Sequence, residues 1–236
     1  MQLNKLHRIY INDSISINDE LRVNPNTANH IKNVLRIRDN SKIIVFNGDG
    51  KEYIAEVNYT DHFTVLIKNE NPSRKNDIHQ ITLAQSIPSA KHMDLAIQKS
   101  VEIGINKIVP IISERSHPGD HKKKYSHWEN IIIHSTEQSN GLFLAKLDEI
   151  TNLENFLINV SDDESYKICF HMSGRKITQN DKNYQSHIIL IGPEGGFSSN
   201  EIDLIARYNW NIVSLGDRIL RTETAAIVAQ TILRDF

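Results

Sequence analysis

The sequence is short of the features that mark secreted, membrane-spanning or uniformly basic proteins. Its single cysteine, Cys169, excludes an intramolecular disulfide and fits a reducing cytosol. No apolar run approaches the roughly 20 residues that cross a bilayer, and residues 1–8 are too polar for a signal peptide. We therefore expect a cytoplasmic protein. The formal net charge of -2 leaves room only for a local nucleic-acid-binding patch.

The 236 residues suffice for one large domain or two small ones, and the 39% hydrophobic and 24% charged content is typical of globular proteins. Residues 1–70 predict a mostly β region, with short β-branched runs at 42–46, 53–57 and 63–67. Asn47-Gly-Asp-Gly50 predicts a hairpin between the first two runs. Residues 71–79 are polar and contain a proline, so they predict a linker.

From Gln80 onward, strands alternate with helices, which favours a largely parallel α/β sheet. A helix is predicted over Ala90–Ile103, with Gly104 as its C-cap. The apolar face of this helix comprises Met93, Ala96, Ile97 and Val101. The next predicted strand, residues 107–113, contains Pro110, which cannot donate a hydrogen bond to a neighbouring strand. We therefore expect that strand to lie at an edge or to end at Pro110.

Two apolar runs near the C-terminus each break into a glycine loop. Residues 188–197 read Ile-Ile-Leu-Ile-Gly-Pro-Glu-Gly-Gly-Phe, followed by Ser198 and Glu201 at capping-box spacing. Residues 215–226 read Leu-Gly-Asp-Arg-Ile-Leu-Arg-Thr-Glu-Thr-Ala-Ala, where Thr222 can cap a final helix. Glycines allow close approach to a ligand, although most such loops are only turns. Neither loop matches the dinucleotide or P-loop pattern.

Two segments concentrate basic side chains. The first is a predicted helix over residues 27–37, which with its flank carries His30, Lys32, Arg36 and Arg38 and could be a solvated face or an RNA-phosphate site. The second is the loop 114–124, for which an RNA-facing or solvated role is favoured over a metal site because no cysteine or ligand spacing accompanies its histidines. The histidines in and near this loop are His117, His121 and His127.

The ordered motifs resemble the 16S ribosomal RNA (uracil-N3)-methyltransferase family of SPOUT enzymes, which use S-adenosylmethionine (SAM). The resemblance covers nearly the whole chain. Besides the two glycine-loop stretches, it is carried by His30-x-x-Asn-Val-Leu-Arg36, by Lys99-Ser-Val-Glu-Ile-Gly-Ile105 with Pro110 and Glu114-Arg-Ser116, and by Glu137-Gln-Ser139. One departure stands after the last motif, where Asn140-Gly141 and Ala145 occupy a region in which the family usually has an arginine and a proline.

The resemblance implies an α/β fold in which a PUA-like β-barrel, residues 1–72, precedes a SPOUT methyltransferase domain, residues 73–236, with a deep C-terminal trefoil knot. It also implies a homodimer, SAM as cofactor, and 16S ribosomal RNA or the assembled small subunit as partner, with neither a membrane nor a metal. The target atom, N3, lies on the Watson–Crick edge, so the base must be unpaired or flipped.

The resemblance also implies site residues. The cofactor-binding residues are His171, Met172, Ile191, Gly192, Glu194, Gly196, Leu215, Gly216, Ile219, Leu220, Arg221, Thr224 and Ala225. The candidate RNA-binding residues come from the two basic segments and are His30, Lys32, Arg36, Arg38, Arg115, Lys122, Lys123 and Lys124. For catalysis, we hypothesise that Arg221 stabilises the uracil anion, with Arg115 of either subunit as another candidate, and that Glu194 or Glu102 accepts the proton. Structural alternatives are a capping ion pair of Arg221 with Glu223 and an ion pair of Glu102 with Lys99.

Three other functions compete with this one. A SPOUT enzyme could modify another position, such as a ribose hydroxyl. A ribosome-assembly factor could bind RNA without catalysis, although the intact loops at 192–196 and 215–225 argue against that alternative. A small-molecule α/β enzyme would have no use for the basic residues at 30–38 and 115–124.

Overall fold

The computed structural model describes residues 6–59, 63–72 and 79–234, and of Lys122 the backbone alone. The chain divides into two compact units, Met1–Asn76 with Thr136–Leu144 and Asp77–Ser135 with Ala145–Phe236. Most of the predicted linker, including the first residues after the predicted domain boundary at 72, lies outside the described residues. Within the described ranges, no helix is both long and apolar enough to cross a membrane.

The first unit is built on a five-stranded sheet. Its strands are β1 Arg8–Tyr10, β2 Glu20–Arg22, β3 Lys42–Phe46, β4 Glu52–Asn58 and β5 Thr64–Asn71. The strand order is β1-β3-β4-β5-β2, in which β1 and β3 are parallel and the other pairs antiparallel. Phe46 pairs with Glu52, which confirms the predicted hairpin. Residues such as Ile43, Val45 and Val57 alternate inward and form one apolar core.

The helix of the first unit is shorter than predicted. Helix α1 covers Pro25–Asn29 and begins at Asn24, whose side chain accepts a hydrogen bond from the amide of Thr27. A π-helical turn, His30–Val34, follows and ends before Arg36. The predicted helix over 27–37 is therefore wrong in its bounds, because backbone with a positive φ at Arg36 (+53°) cannot continue a right-handed helix.

The segment Thr136–Leu144 is joined to β1 of the first unit by hydrogen bonds between side chains and the backbone. The amide of Tyr10 donates to Oε1 of Glu137 at 2.8 Å, and Arg8 donates to the carbonyl of Gly141 at 2.6 Å. These two hydrogen bonds join Glu137 and the carbonyl of Gly141 to β1.

The second unit is built on a seven-stranded parallel sheet. Its strands are β6 Gln80–Ser86, β7 Lys107–Ile112, β8 Lys146–Leu147, β9 Thr151–Asn152, β10 Tyr166–Lys176, β11 Ser186–Ile191 and β12 Asn211–Ser214. The order is β12-β10-β11-β6-β7-β8, with β9 also paired to β7. This arrangement confirms the predicted parallel α/β class.

Among the described residues of this unit, five α-helices accompany the sheet: α2 Ala90–Ile103, α3 Tyr125–Ser139, α4 Leu153–Asn159, α5 Ser199–Arg207 and α6 Thr222–Leu233. The last residues of α3 are counted with the first unit. The bounds of α2 are those predicted, and its four predicted apolar residues are all buried. Gly104 ends α2 in the left-handed conformation, at φ 97°.

Strand β7 is an interior strand, so the prediction that Pro110 marks an edge or an end is wrong. Pro110 pairs with Gln85 of β6 on one side. On the other side, β8 pairs only with Lys107 and Ile108, and β9 only with Ile111 and Ile112. Position 110 falls between these two short strands, where a missing N–H leaves no bond unmade.

Candidate active site

Three adjacent strands of the second unit end at one edge of its sheet. β12, β10 and β11 lie side by side and run parallel. One segment, beginning at His171, interrupts β10 at this edge, and two others leave the carboxyl ends of β11 and β12 at Gly192 and Leu215. All three belong to the cofactor-binding set predicted from the sequence. Open α/β sheets bind their ligands at such an edge.

The first of these segments is a bulge within β10. Phe170 and Arg175 both pair with Val213, so residues 171–174 form an excursion before the strand resumes. A Cβ on Gly174 would lie 2.5 Å from the backbone nitrogen of Val213. The two backbones can pass this closely only because residue 174 is glycine.

The bulge exposes both a polar and an apolar side chain. Nδ1 of His171 lies 2.8 Å from the hydroxyl of Ser173, and burial lowers the pKa of His171, which favours the neutral imidazole. Met172 is 49% exposed, and Ile219, in the loop after β12, is 87% exposed. Exposed apolar side chains of this size suit the face of a flat, apolar ligand group.

The second segment is a tight glycine turn. The amide of Gly196 donates to the carbonyl of Pro193 at 2.9 Å, and Gly196 has a φ of +66°. A Cβ on Gly192 would lie 3.3 Å from both Gly196 and Phe197, so the turn folds back on its own start. A Cβ on Gly196 would meet nothing within 4 Å.

The third segment offers a similar backbone surface. Gly216 has a φ of +114°, and its Cβ position is also open. Gly196 and Gly216 therefore both border open space in conformations that residues with a Cβ rarely adopt. These two turns fit a cofactor cradle, because a ligand can approach their backbone without meeting a side chain.

Glu194 anchors the glycine turn to the first turn of α2. Its Oε1 accepts a hydrogen bond from the amide of Ser89 at 2.9 Å and lies 2.9 Å from Nδ1 of His92. Burial would raise the pKa of Glu194, but the hydrogen bonds from His92 and Ser89 outweigh it and lower that pKa to about 2. A carboxylate held ionised in this way is a weak proton acceptor.

Arg115 and Glu201 fasten the other side of the same turn. Arg115 donates to the carbonyl of Gly195 of its own chain at 2.8 Å. Glu201 confirms the predicted capping box with Ser198, and its Oε1 also accepts from the amide of Glu114 at 2.8 Å. The buried Glu201 therefore joins α5 to the loop that carries Arg115.

The sequence predicts that Thr222 caps α6, and this prediction is wrong. The N-cap residue is Arg221, and Thr222 is the first residue of the helix. The Thr222 hydroxyl instead donates to the carbonyl of Gly192 at 2.6 Å and accepts from Gln85 at 2.9 Å. Sequence reasoning gave Gln85 no role, although an amide inside an apolar strand was a signal for one.

The start of α6 brings further predicted residues to the edge. Arg221 is exposed, Thr224 and Ala225 are half-buried, and Glu223 is buried. Leu220, just before them, is half-buried. A cation at the exposed Arg221 can stabilise an anion that forms beside the glycine turns.

Glu102 lies far from this edge. It is in the last turn of α2, whereas Ser89, which contacts Glu194, precedes the first turn. A helix of this length separates its ends by roughly 20 Å. Both oxygens of Glu102 accept from Lys99 at 2.9 Å, so the ion-pair alternative describes Glu102 better than the proton-acceptor hypothesis does.

The basic residues predicted to bind RNA are mostly exposed. In the first unit, Lys32, Arg36 and Arg38 are exposed and His30 is half-buried. The ammonium group of Lys32 lies 5.6 Å from the ring centre of Tyr59. The first unit thus presents cations that water, and therefore phosphate, can reach.

In the second unit, Arg115 and Lys123 are exposed and Lys124 is half-buried. Lys123 pairs with Asp120 at 3.4 Å. The side chain of Lys122 lies outside the described residues. Residues His121–Lys124 form a 3-10 helix within the predicted loop.

The histidines weighed as metal ligands have other contacts. His117 and His121 bond to the carbonyls of Pro118 and His117, and His127 contacts Asp94 at 2.9 Å. Cys169 is fully buried, and burial raises the pKa of its thiol, so Cys169 behaves as a small apolar core residue.

Two domain families match this chain. The family described as "RNA methyltransferase domain" matches residues 74–234. The family described as "RNA methyltransferase PUA domain" matches residues 23–68. Together they account for most of both units.

Relatives and solved structures agree with these matches. "Ribosomal RNA small subunit methyltransferase E" of Buchnera aphidicola (from Schizaphis graminum) is 34% identical, over 98% of this chain and 96% of the relative. The protein of the same name from Neisseria gonorrhoeae, solved with S-adenosyl methionine, has a TM-score of 0.89, 31% identity and 97% and 96% coverage of the two chains. A methyltransferase from Legionella pneumophila, solved with bound SAM, has a TM-score of 0.90, 32% identity and 97% coverage of both chains.

Proposed function

This chain belongs to the ribosomal RNA small subunit methyltransferase E family of RNA methyltransferases, and on that premise we propose that it methylates N3 of a uracil in 16S ribosomal RNA with SAM as donor. When bound, SAM would supply the methyl group, whose carbon forms a bond to N3 while its bond to the sulfonium sulfur breaks and the sulfur leaves as a neutral thioether. Because N3 carries a proton and lies on the Watson–Crick edge, the base must be unpaired or flipped and must lose that proton.

The observation that carries this proposal is the backbone cradle at the carboxyl edge of β12, β10 and β11. Gly196 and Gly216 border open space at positive φ there. We assign SAM to this cradle. The assigned residues are His171, Met172, Ile191, Gly192, Glu194, Gly196, Leu215, Gly216, Ile219, Leu220, Arg221, Thr224 and Ala225.

Arg221 is our candidate for the charge role. It immediately precedes α6 and is exposed, so its guanidinium can reach the oxygens of a base beside the cradle. Removing the N3 proton leaves negative charge on those oxygens, which a positioned cation stabilises in the transition state. Nη1 of Arg115 is already bonded to Gly195, so we assign Arg115 to holding the turn and to an rRNA phosphate, and not to the charge role.

The two carboxylates that the sequence offers as proton acceptors, Glu194 and Glu102, fit that task poorly. Glu194 has a pKa of about 2, and Glu102 pairs with Lys99 in the last turn of α2. We therefore propose that the proton leaves to water at the open edge of the sheet. In this mechanism Arg221 lowers the cost of the anion and no side chain stores the proton.

The basic residues of each unit are assigned to rRNA phosphates. The substrate is either free 16S rRNA or rRNA within an assembled small subunit. In the first unit the basic residues are His30, Lys32, Arg36 and Arg38, and in the second they are Arg115, Lys122, Lys123 and Lys124. Phosphate contacts position an RNA without reading its sequence. The homodimer, the trefoil knot and the absence of a metal, all implied by the family resemblance, belong to the same proposal.

The test is methyl transfer from labelled SAM to small ribosomal subunits that lack the modification, with nucleoside analysis of the product. Subunits that already carry the modification are the matched control and should accept no label. N3-methyluridine is the expected product. Another methylated nucleoside would overturn the target, SAM binding without transfer would favour an assembly role, and failure to bind SAM would refute the cradle.

A further inference from the structure

We infer that Gln85 is a positioning residue for the methyltransferase reaction, holding the carbonyl of Gly192 through Thr222 and through a longer direct contact of its own. The inference rests on the proposed function, because it assumes that the glycine turn beginning at Gly192 holds SAM. Gln85 does not touch the open edge of the cradle. Its role is to fix the groups that do.

The three groups form a directed hydrogen-bond chain. Nε2 of Gln85 donates to Oγ1 of Thr222 at 2.9 Å, and Oγ1 donates its own proton to the carbonyl of Gly192 at 2.6 Å. Because the hydroxyl accepts from one side, its single proton points to the other. Hydrogen bonds arranged in series in a buried site reinforce one another.

This series of hydrogen bonds connects elements that are distant in sequence. Gln85 lies near the end of β6 and is 0% exposed, Gly192 follows β11, and Thr222 opens α6. Nε2 of Gln85 also contacts two carbonyls, that of Ser86 at 2.9 Å and, at the longer distance of 3.5 Å, that of Gly192. Strand β6 therefore fixes the positions of both the start of the glycine turn and the first turn of α6.

Two proposed functional groups depend on that setting. The glycine turn supplies backbone to the cofactor, and Arg221 directly precedes Thr222 in the chain. A loss of the Gln85 amide would let the turn and the start of α6 shift independently. Sites lose function when their supporting contacts are loosened by about 1 Å.

The same unit contains a matched control, Gln230. It too is 0% exposed, and its Nε2 donates to Ser100 at 2.7 Å and to the carbonyl of Ala226 at 2.9 Å. It lies on α6 but eight residues beyond Thr222, which is roughly 12 Å along the helix. Replacing Gln230 removes a buried amide of the same kind without touching the turn.

The experiment compares Gln85→Leu, Thr222→Val, Thr222→Ser and Gln230→Leu in the full chain. SAM affinity is measured by calorimetry, and the melting temperature is measured for each variant. Gln85→Leu and Thr222→Val should weaken SAM binding by about tenfold or more, which corresponds to one buried hydrogen bond with its partner left unsatisfied. Thr222→Ser, which keeps the hydroxyl, should restore binding to within about threefold.

Gln230→Leu should lower the melting temperature about as much as Gln85→Leu while SAM binding stays within about twofold. Equal losses of affinity in these two variants would reduce Gln85 to a stability residue and overturn the inference, as would wild-type affinity in Gln85→Leu. If Gln85→Leu does not fold, the near-isosteric pair Thr222→Val and Thr222→Ser decides alone. Wild-type protein that fails to bind SAM would refute the proposed function instead.

Discussion

Oε1 of Glu194 lies 2.9 Å from Nδ1 of His92, which joins the tip of the glycine turn to the first turn of α2. The same oxygen accepts from the amide of Ser89, the residue that precedes α2. A carboxylate at the start of a helix also interacts favourably with the helix dipole. Glu194 is thus an anchor of the cradle, and its ionisation is part of how the turn is held.

Glu194→Gln should therefore destabilise the protein at neutral pH, with a pH dependence set by this one group. The folded pKa of Glu194, about 2, lies below its ordinary value of 4.5. Its contribution to stability is fully present above about pH 4.5 and is lost as the pH falls through about 2. Urea unfolding of both proteins between pH 7 and pH 3 measures the difference, which should shrink toward the acid end.

The control for this prediction is Glu154→Gln, an exposed carboxylate in the first turn of α4. This variant measures how much a negative charge near any helix N-terminus contributes to the free energy of unfolding. Because Glu194 is itself partly exposed, its effect should be modest, on the order of 1 kcal/mol. A stability difference that is constant across the pH range would contradict the anchoring role.

Gly216→Ala and Gly174→Ala should have different consequences, because the two glycines are required for different reasons. Gly216 borders open space at φ +114°, so alanine adds backbone strain of about 1–2 kcal/mol and weakens SAM binding. A Cβ added at Gly174 would lie 2.5 Å from the backbone nitrogen of Val213. This contact is to the backbone of a paired strand, which cannot move aside as a flexible side chain could. Thermal unfolding should rank Gly174→Ala as the more destabilised. The opposite ranking would mean that the bulge yields more easily than its geometry indicates.

The local structure of this protein could be predicted from sequence far better than its spatial arrangement. The apolar spacing and the C-terminal glycine defined α2 fully, because a helix is specified by neighbours three and four residues apart. The strand order, which brings β12 beside β10, depends on long-range pairing that no local pattern encodes. That is why the edge interpretation of Pro110 was wrong.

The candidate site was predictable in its loops but not in its supports. Glycine spacing and family resemblance identified the turns at Gly192–Gly196 and Leu215–Gly216. The hydrogen bond from Thr222 to Gly192 joins positions 30 residues apart, and a capping role was the best local prediction for that threonine. Gln85, still farther along the chain from Thr222, could be assigned only once the fold had brought the two together.

Removal of the exposed cations of the first unit should weaken RNA binding in a salt-dependent manner. In the triple variant Lys32→Ala, Arg36→Ala, Arg38→Ala, the negative slope of log affinity against log salt should become shallower by about 2. Each phosphate contact to a single strand contributes about 0.7 to the steepness of that slope. Fluorescence anisotropy with an rRNA fragment at several KCl concentrations measures the slope.

The matched control removes the same charge from the same unit. The variant Lys42→Ala, Lys51→Ala, Lys68→Ala replaces three exposed lysines on or beside the strands, two of them near Glu70 and Glu56. It should leave the slope within experimental error. Equal slopes in both triple variants would indicate a response to net charge, and the assignment of the His30–Arg38 segment would fail.

Arg221→Ala should reduce kcat by about 100-fold, the usual cost of deleting a group that stabilises transition-state charge, with a smaller change in SAM affinity. Arg218→Ala, an exposed arginine of the same loop, should leave kcat nearly unchanged. The deficit of Arg221→Ala should also narrow as the pH rises, because uracil then loses its N3 proton without help from a cation. Arg221→Lys, which keeps the charge, should recover part of the rate. A uniform deficit at every pH, unrelieved by lysine, would show that Arg221 holds the start of α6 in place and does not stabilise the anion.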